Sequence, residues 1–98
     1  MTAQELAQSA KSDTDPPPNL PKTLEALWRA KAGQWEAAHD LTNDIPDPEG
    51  AWIHAYLHRE EGDLGNAAYW YSRANQPTPA ASVSLDEEWQ NITQALIS

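Results

Sequence analysis

Two histidines four residues apart are the side chains of this sequence best placed to do chemistry. His54 and His58 are followed by Glu61 three residues later. In a helix, residues three and four apart share one side, with β-carbons roughly 5–6 Å apart. Two imidazoles and a carboxylate suit a zinc-like ion, and His39 could add a third imidazole from a neighbouring segment. One reading of the spacing is therefore a metal-binding protein or a metal-dependent enzyme.

Other signs of catalytic chemistry are missing from the sequence. The metalloprotease motif needs glutamate directly after its first histidine, and Ala55 stands there. There is no cysteine for a thiolate site or a disulfide, and no phosphate-binding glycine loop. Histidine pairs on helices also serve purely structural roles. We therefore expect a non-catalytic protein without a cofactor. The alternative hypothesis is a metal-binding protein or a metal-dependent enzyme.

Composition limits the classes of partner. The 98 residues carry 15 acidic and six basic side chains, which gives a formal net charge of −9. Nucleic-acid-binding proteins present a basic face, and anionic membrane surfaces repel an acidic protein. The apolar runs are too short to span a bilayer, and the first residues lack the positive region of a signal peptide. We expect a cytoplasmic protein that binds another protein or a peptide.

The elements that must position these residues are helices. Residues 1–20 are predicted to be a flexible tail and proline-rich linker, although Thr2 and Glu5 could cap a short helix. Residues 21–98 are predicted to form a single helical domain. Proline at helix starts, glycine at helix ends and apolar stripes predict five helices there. Their approximate ranges are 21–32, 35–42, 48–62, 64–75 and 85–97.

The histidine pair lies within an internal repeat. The stretch Ala51–Ala74 repeats, in weaker form, a stretch about 29 residues earlier. Apolar residues that precede Gly33 match those that precede Gly62, in the pairs Leu24 and Ile53, Leu27 and Tyr56, and Trp28 and Leu57. A period near 30 favours helical hairpins, because each hairpin needs a neighbour to bury its apolar face.

The second copy resembles a tetratricopeptide repeat. Its turn reads Gly62-Asp63-Leu64, and the small and aromatic residues of the following helix are Ala67, Tyr71 and Ala74, with Pro77 beyond. The first copy matches at Gly33-Gln34-Trp35 and Ala38. The resemblance implies an all-α fold of two stacked antiparallel helical hairpins with a C-terminal capping helix. The runs HAYLHR and YWYSRA also resemble those of a small bacterial family, a likeness that implies no function.

The resemblance also implies where a partner would bind. In tetratricopeptide arrays, the side of the first helix of each hairpin lines a concave groove that holds peptides. On this chain that side carries Glu25, Arg29, His54, His58 and Glu61. The alternative is an ordinary solvated helix face. Two repeats leave an open face at the first hairpin, which the N-terminal segment or a second copy in a homodimer would cover.

Overall fold

The computed structural model describes residues 1–97, which form six helices and no strand. The helices are α1 (Ala3–Ser12), α2 (Lys22–Lys31), α3 (Trp35–Thr42), α4 (Glu49–Glu60), α5 (Leu64–Arg73) and α6 (Leu85–Ile97). The predicted all-α class is confirmed. Within this part of the chain, no helix is long and apolar enough to cross a membrane.

Two glycines in the left-handed region separate consecutive helices. Gly33 lies between α2 and α3 with φ of 81°, and Gly62 lies between α4 and α5 with φ of 88°. Glycine adopts this conformation without the steric cost that a β-carbon brings. Each glycine therefore reverses the chain within a few residues, and α2 packs on α3 as α4 packs on α5.

The structure of the N-terminal segment differs from the sequence prediction. Residues 1–20 were expected to be a flexible tail, but α1 packs on α2 and α6 and belongs to the core. The Thr2 hydroxyl and the Glu5 carboxylate form the capping box that the sequence suggested. Leu6 has no exposed surface. A ten-residue helix is marginal alone, and burial of its apolar side explains why it is ordered here.

Helix α4 lies at the centre of the molecule. It packs on α2, α3, α5 and α6, and every residue from Ile53 to His58 is buried. A helix enclosed on all sides buries polar as well as apolar positions. It begins at Glu49. The carboxylate of Asp47, two residues earlier, accepts a hydrogen bond from Arg73 of α5 at 2.6 Å.

Helix α6 has the predicted bounds, but it does not lie where a helix that caps the last hairpin would lie. It packs on α1, α2 and α4, and not on the outer side of α5. The indole N–H of Trp89 donates to the Leu27 carbonyl oxygen at 2.8 Å. Glu88 is buried and accepts hydrogen bonds from Arg59 of α4 and Tyr71 of α5. These polar contacts fix where α6 lies across α2 and α4.

Candidate functional site

The structure brings all three histidines of the chain into one cluster. His54 and His58 come from successive turns of α4, and His39 comes from α3. One nitrogen from each ring lies within 4.8 Å of the others. His54 and His58 are 8 % and 7 % exposed, and His39 is half-buried. The cluster therefore has one side towards solvent, at His39.

Two tryptophans form the walls of the histidine cluster. The His39 ring stacks on Trp35 with 4.9 Å between ring centres, and the His54 ring stacks on Trp70 with 3.9 Å between them. The His54 and His58 rings are also stacked, at 4.8 Å. Flat contacts at these distances hold each imidazole in a defined orientation.

Polar neighbours fix the protonated nitrogen of two rings. Nδ1 of His58 lies 2.7 Å from Oε1 of Glu61. A carboxylate accepts only, so Nδ1 of His58 carries a proton, and in the neutral form of the ring Nε2 keeps its lone pair. The Thr42 hydroxyl donates to the His39 carbonyl oxygen at 2.6 Å and lies 3.5 Å from Nδ1 of His54. Its oxygen can therefore accept from Nδ1, which leaves Nε2 of His54 free as well.

Burial keeps His54 uncharged at neutral pH. Its pKa is lowered from 6.5 to about 4, mainly by desolvation and then by electrostatic interaction with His39, His58 and Arg73, while Asp47 acts in the opposite direction. Removing a cation from water is costly, so the neutral imidazole is favoured. A neutral imidazole is the form that binds a metal ion.

The remaining predicted residues fall into separate groups. Glu61 lies close enough to His58 and Asp63 for their ligand atoms to be within 4.8 Å of one another, at an exposed turn. Glu25 and Arg29 pair with each other on α2, with Nε and Oε2 3.2 Å apart. They are half-buried rather than fully solvated.

The concave groove predicted from the resemblance needs a correction at the two histidines. His54 and His58 face α3 and α5, where they contact His39 and Trp70, instead of lining an open face. The reason is that α3 and α5 both pack on α4 and cover that side of the helix. A groove that uses Glu25, Arg29 and Glu61 stays a prediction.

A second candidate site is a cleft beside α5. It has a volume of about 410 Å³ and lies between α5 and the segment that leads into α6. Its lining is mostly apolar, with one basic side chain, and consists of Arg59, Leu64, Ala67, Tyr71, Thr78, Pro79, Ala81 and Leu85. Leu64 and Tyr69 on the same helix are 65 % and 55 % exposed. The cleft can accept an apolar side chain of a ligand or a partner.

Several residues of these sites were missed from the sequence. Trp35 stands four residues before His39, so their stacking follows from helical spacing and could have been found. Thr42 and Trp70 reach the cluster only because α3 and α5 both pack on α4. No local pattern signals such contacts.

Comparison of the chain with protein-family models, with curated proteins and with solved structures finds no match to any of them.

Proposed function

We propose that this chain is a protein-interaction module with a tetratricopeptide-like arrangement of its helices. Consecutive helices pack as the pairs α2 with α3 and α4 with α5, each separated by a glycine with positive φ. This pairing supports two hairpins of the kind that the repeat in the sequence implies. In place of an outer cap, α6 lies across α2 and α4, on one helix of each pair.

The observation that carries the proposal is the uncovered side of α5. This helix packs on α4 and reaches α6 through the hydrogen bond from Tyr71 to Glu88. Leu64, which lines the cleft, is exposed, and Tyr69 of the same helix is also exposed but lies outside the cleft lining. A terminal hairpin of a repeat array needs a cover for its outer face. Exposed apolar side chains beside a cleft are typical of sites where proteins bind one another.

The charge of the chain indicates the character of the partner. A net charge of −9 raises the rate of encounter with basic proteins and lowers it with acidic ones. We propose a segment of another protein that places an apolar side chain in the cleft and basic side chains at its rim. A second copy of this chain is the other occupant to test.

Site-specific photo-crosslinking tests this function. A photo-reactive phenylalanine replaces Leu64 at the cleft, and in the control it replaces Gln94, an exposed residue of α6. We expect adducts with a basic protein from position 64 and not from position 94, because only the first lies beside the cleft. An adduct of twice the chain mass identifies a homodimer.

The same experiment distinguishes the two candidate surfaces. Arg29→Glu reverses a charge in the predicted groove without touching the cleft. If Arg29→Glu abolishes the adduct at position 64, partner binding depends on the groove face rather than on α5 alone. Equal adduct sets from positions 64 and 94 would remove support for the cleft altogether.

A further inference from the structure

All three histidines of the chain lie in one cluster. Binding of a partner at α5 does not explain this arrangement. The three rings come from two helices, and the two of α4 are buried. Apolar side chains would fill this space without the cost of removing ring nitrogens from water. The histidines therefore point to a ligand that uses their nitrogens.

We propose that His39, His54 and His58 bind a divalent transition-metal ion of the zinc class. Zinc binds histidine nitrogen at roughly 2.0–2.1 Å, so three tetrahedral ligand nitrogens lie about 3.3 Å apart. The present separations are at most 4.8 Å. Binding of an ion would therefore draw the three nitrogens together by at most about 1.5 Å. Imidazole donors suit zinc, copper, iron and nickel, and exclude calcium and magnesium as preferred ions.

The neighbours of the cluster are those that a metal centre requires. Ligating histidines usually donate their second N–H to a carboxylate, a carbonyl or a hydroxyl, which orients the ring. Glu61 takes this role for His58 at 2.7 Å, and Thr42 is placed to take it for His54 at 3.5 Å. The Asn66 side-chain amide lies 3.4 Å from Nε2 of His58 and marks the position that the ion would take over.

The surroundings determine how an ion would reach the centre and what would complete it. Trp35 and Trp70 form the stacked walls described above, and an apolar shell of this kind limits the access of water. The half-buried His39 leaves one direction of approach. Three protein ligands leave a fourth tetrahedral position for water or for a group of a partner.

Titration of the full chain with Zn²⁺ tests the site. The protein is purified without a polyhistidine tag, stripped with a chelator, and titrated in competition with a chromophoric chelator. We expect one ion per chain with a dissociation constant in the micromolar range or tighter. With Co²⁺, visible absorption of tetrahedral intensity is expected. His39→Gln should lower the affinity by more than the roughly 10–100-fold expected for Glu61→Gln, since His39 is a ligand and Glu61 orients one.

A matched control separates this site from the exposed group of His58, Glu61 and Asp63. Asp63→Asn removes the carboxylate but keeps a residue that caps α5 well. It should leave the affinity unchanged. An affinity that falls with Asp63→Asn and not with His39→Gln would overturn the proposal in favour of the exposed group.

One measurement needs no variant. In ¹⁵N spectra of the unmodified protein, the ring nitrogens of all three histidines should shift together on addition of one equivalent of Zn²⁺. Shifts confined to His58, or no binding in the micromolar range, would overturn the proposed site. The outcome at Leu64 in the cross-linking experiment is independent of either result.

Discussion

At the scale of single residues, the surroundings of His54 determine its protonation. The ring stacks on Trp70, its neighbours in the cluster are His39 and His58, and Arg73 lies near enough to repel a proton. Burial and these charges favour the neutral ring in the folded chain, whereas the unfolded chain exposes it to water. The two states therefore bind protons differently, and stability depends on pH.

We expect the metal-free protein to lose stability as pH falls from about 6.5 to about 4. In this window the unfolded chain holds a proton on residue 54 that the folded chain does not, since the folded pKa of His54 is lowered to about 4. The free energy of unfolding therefore rises with pH there, by on the order of 3 kcal/mol from this group, and this contribution is constant above pH 6.5. Urea unfolding in the presence of a chelator measures it.

The control for the pH dependence is His54→Gln. The variant changes absolute stability, but its slope between pH 5 and 7 is the informative quantity. The slope should be flatter than that of the unmodified chain, because the titrating group has been removed. Equal slopes would show that other groups cause the acid sensitivity.

Helical spacing is sufficient to predict that His54, His58 and Glu61 share a side of α4. Helical spacing does not determine which side of α4 meets solvent. The resemblance supplied that assignment from other repeat proteins, and not from the packing of this chain. The contacts of Trp70 and Thr42 with the His54 ring depend on tertiary packing alone. Sequence reasoning therefore found the three histidines as a possible group, but the open groove implied by the resemblance did not allow for the burial of His54 and His58.

At the scale of elements, the start of α4 depends on one close approach. Gly50 is buried in its first turn and donates its N–H to the Pro46 carbonyl oxygen at 2.9 Å. A β-carbon at this position would overlap the Ile45 carbonyl oxygen. The absence of a side chain therefore allows the turn before α4 to fold back on the helix.

Two glycine substitutions test this reading. Gly50→Ala should destabilise the protein by about 1–3 kcal/mol, because the backbone of Ile45 has to shift. Gly65→Ala, in α5, meets nothing within 4 Å and should be neutral or stabilising by up to about 1 kcal/mol. Denaturant midpoints measure both. A similar effect of the two substitutions would contradict the close approach at Gly50.

The bounds of the elements were largely predictable, and their partners were not. The predicted ranges 35–42 and 85–97 agree with α3 and α6, because glycine, proline and capping residues act locally. The role of α1 was missed because a proline-rich segment separates it from the domain. Whether a short amphipathic helix finds an apolar surface depends on the rest of the fold, here on α2 and α6.

At the scale of the whole molecule, the first and last helices share one core. α1 and α6 pack on each other and both pack on α2. The Trp28 indole N–H donates to the Ser9 hydroxyl at 3.0 Å, and the Trp89 indole N–H donates to the Leu27 carbonyl oxygen at 2.8 Å. Adjacent residues of α2 thus connect to both ends of the chain. An open repeat array lacks such links, since its units contact only their neighbours.

We expect unfolding to be a single cooperative transition. Loss of either terminal helix would expose the apolar face of α2, so neither end should fray ahead of the rest. Urea curves from tryptophan fluorescence and from far-ultraviolet circular dichroism should then coincide. An earlier fluorescence change, with helix content retained, would indicate that α1 or α6 separates first.

The position of Trp89 also has a consequence during synthesis. Its hydrogen bond to Leu27 joins residues 62 positions apart. A nascent chain reaches Trp89 only after it has made α2 and α4, so these two helices leave the ribosome before the helix that covers them exists. Their apolar faces are then available to chaperones until α6 has emerged, and the native core closes only afterwards.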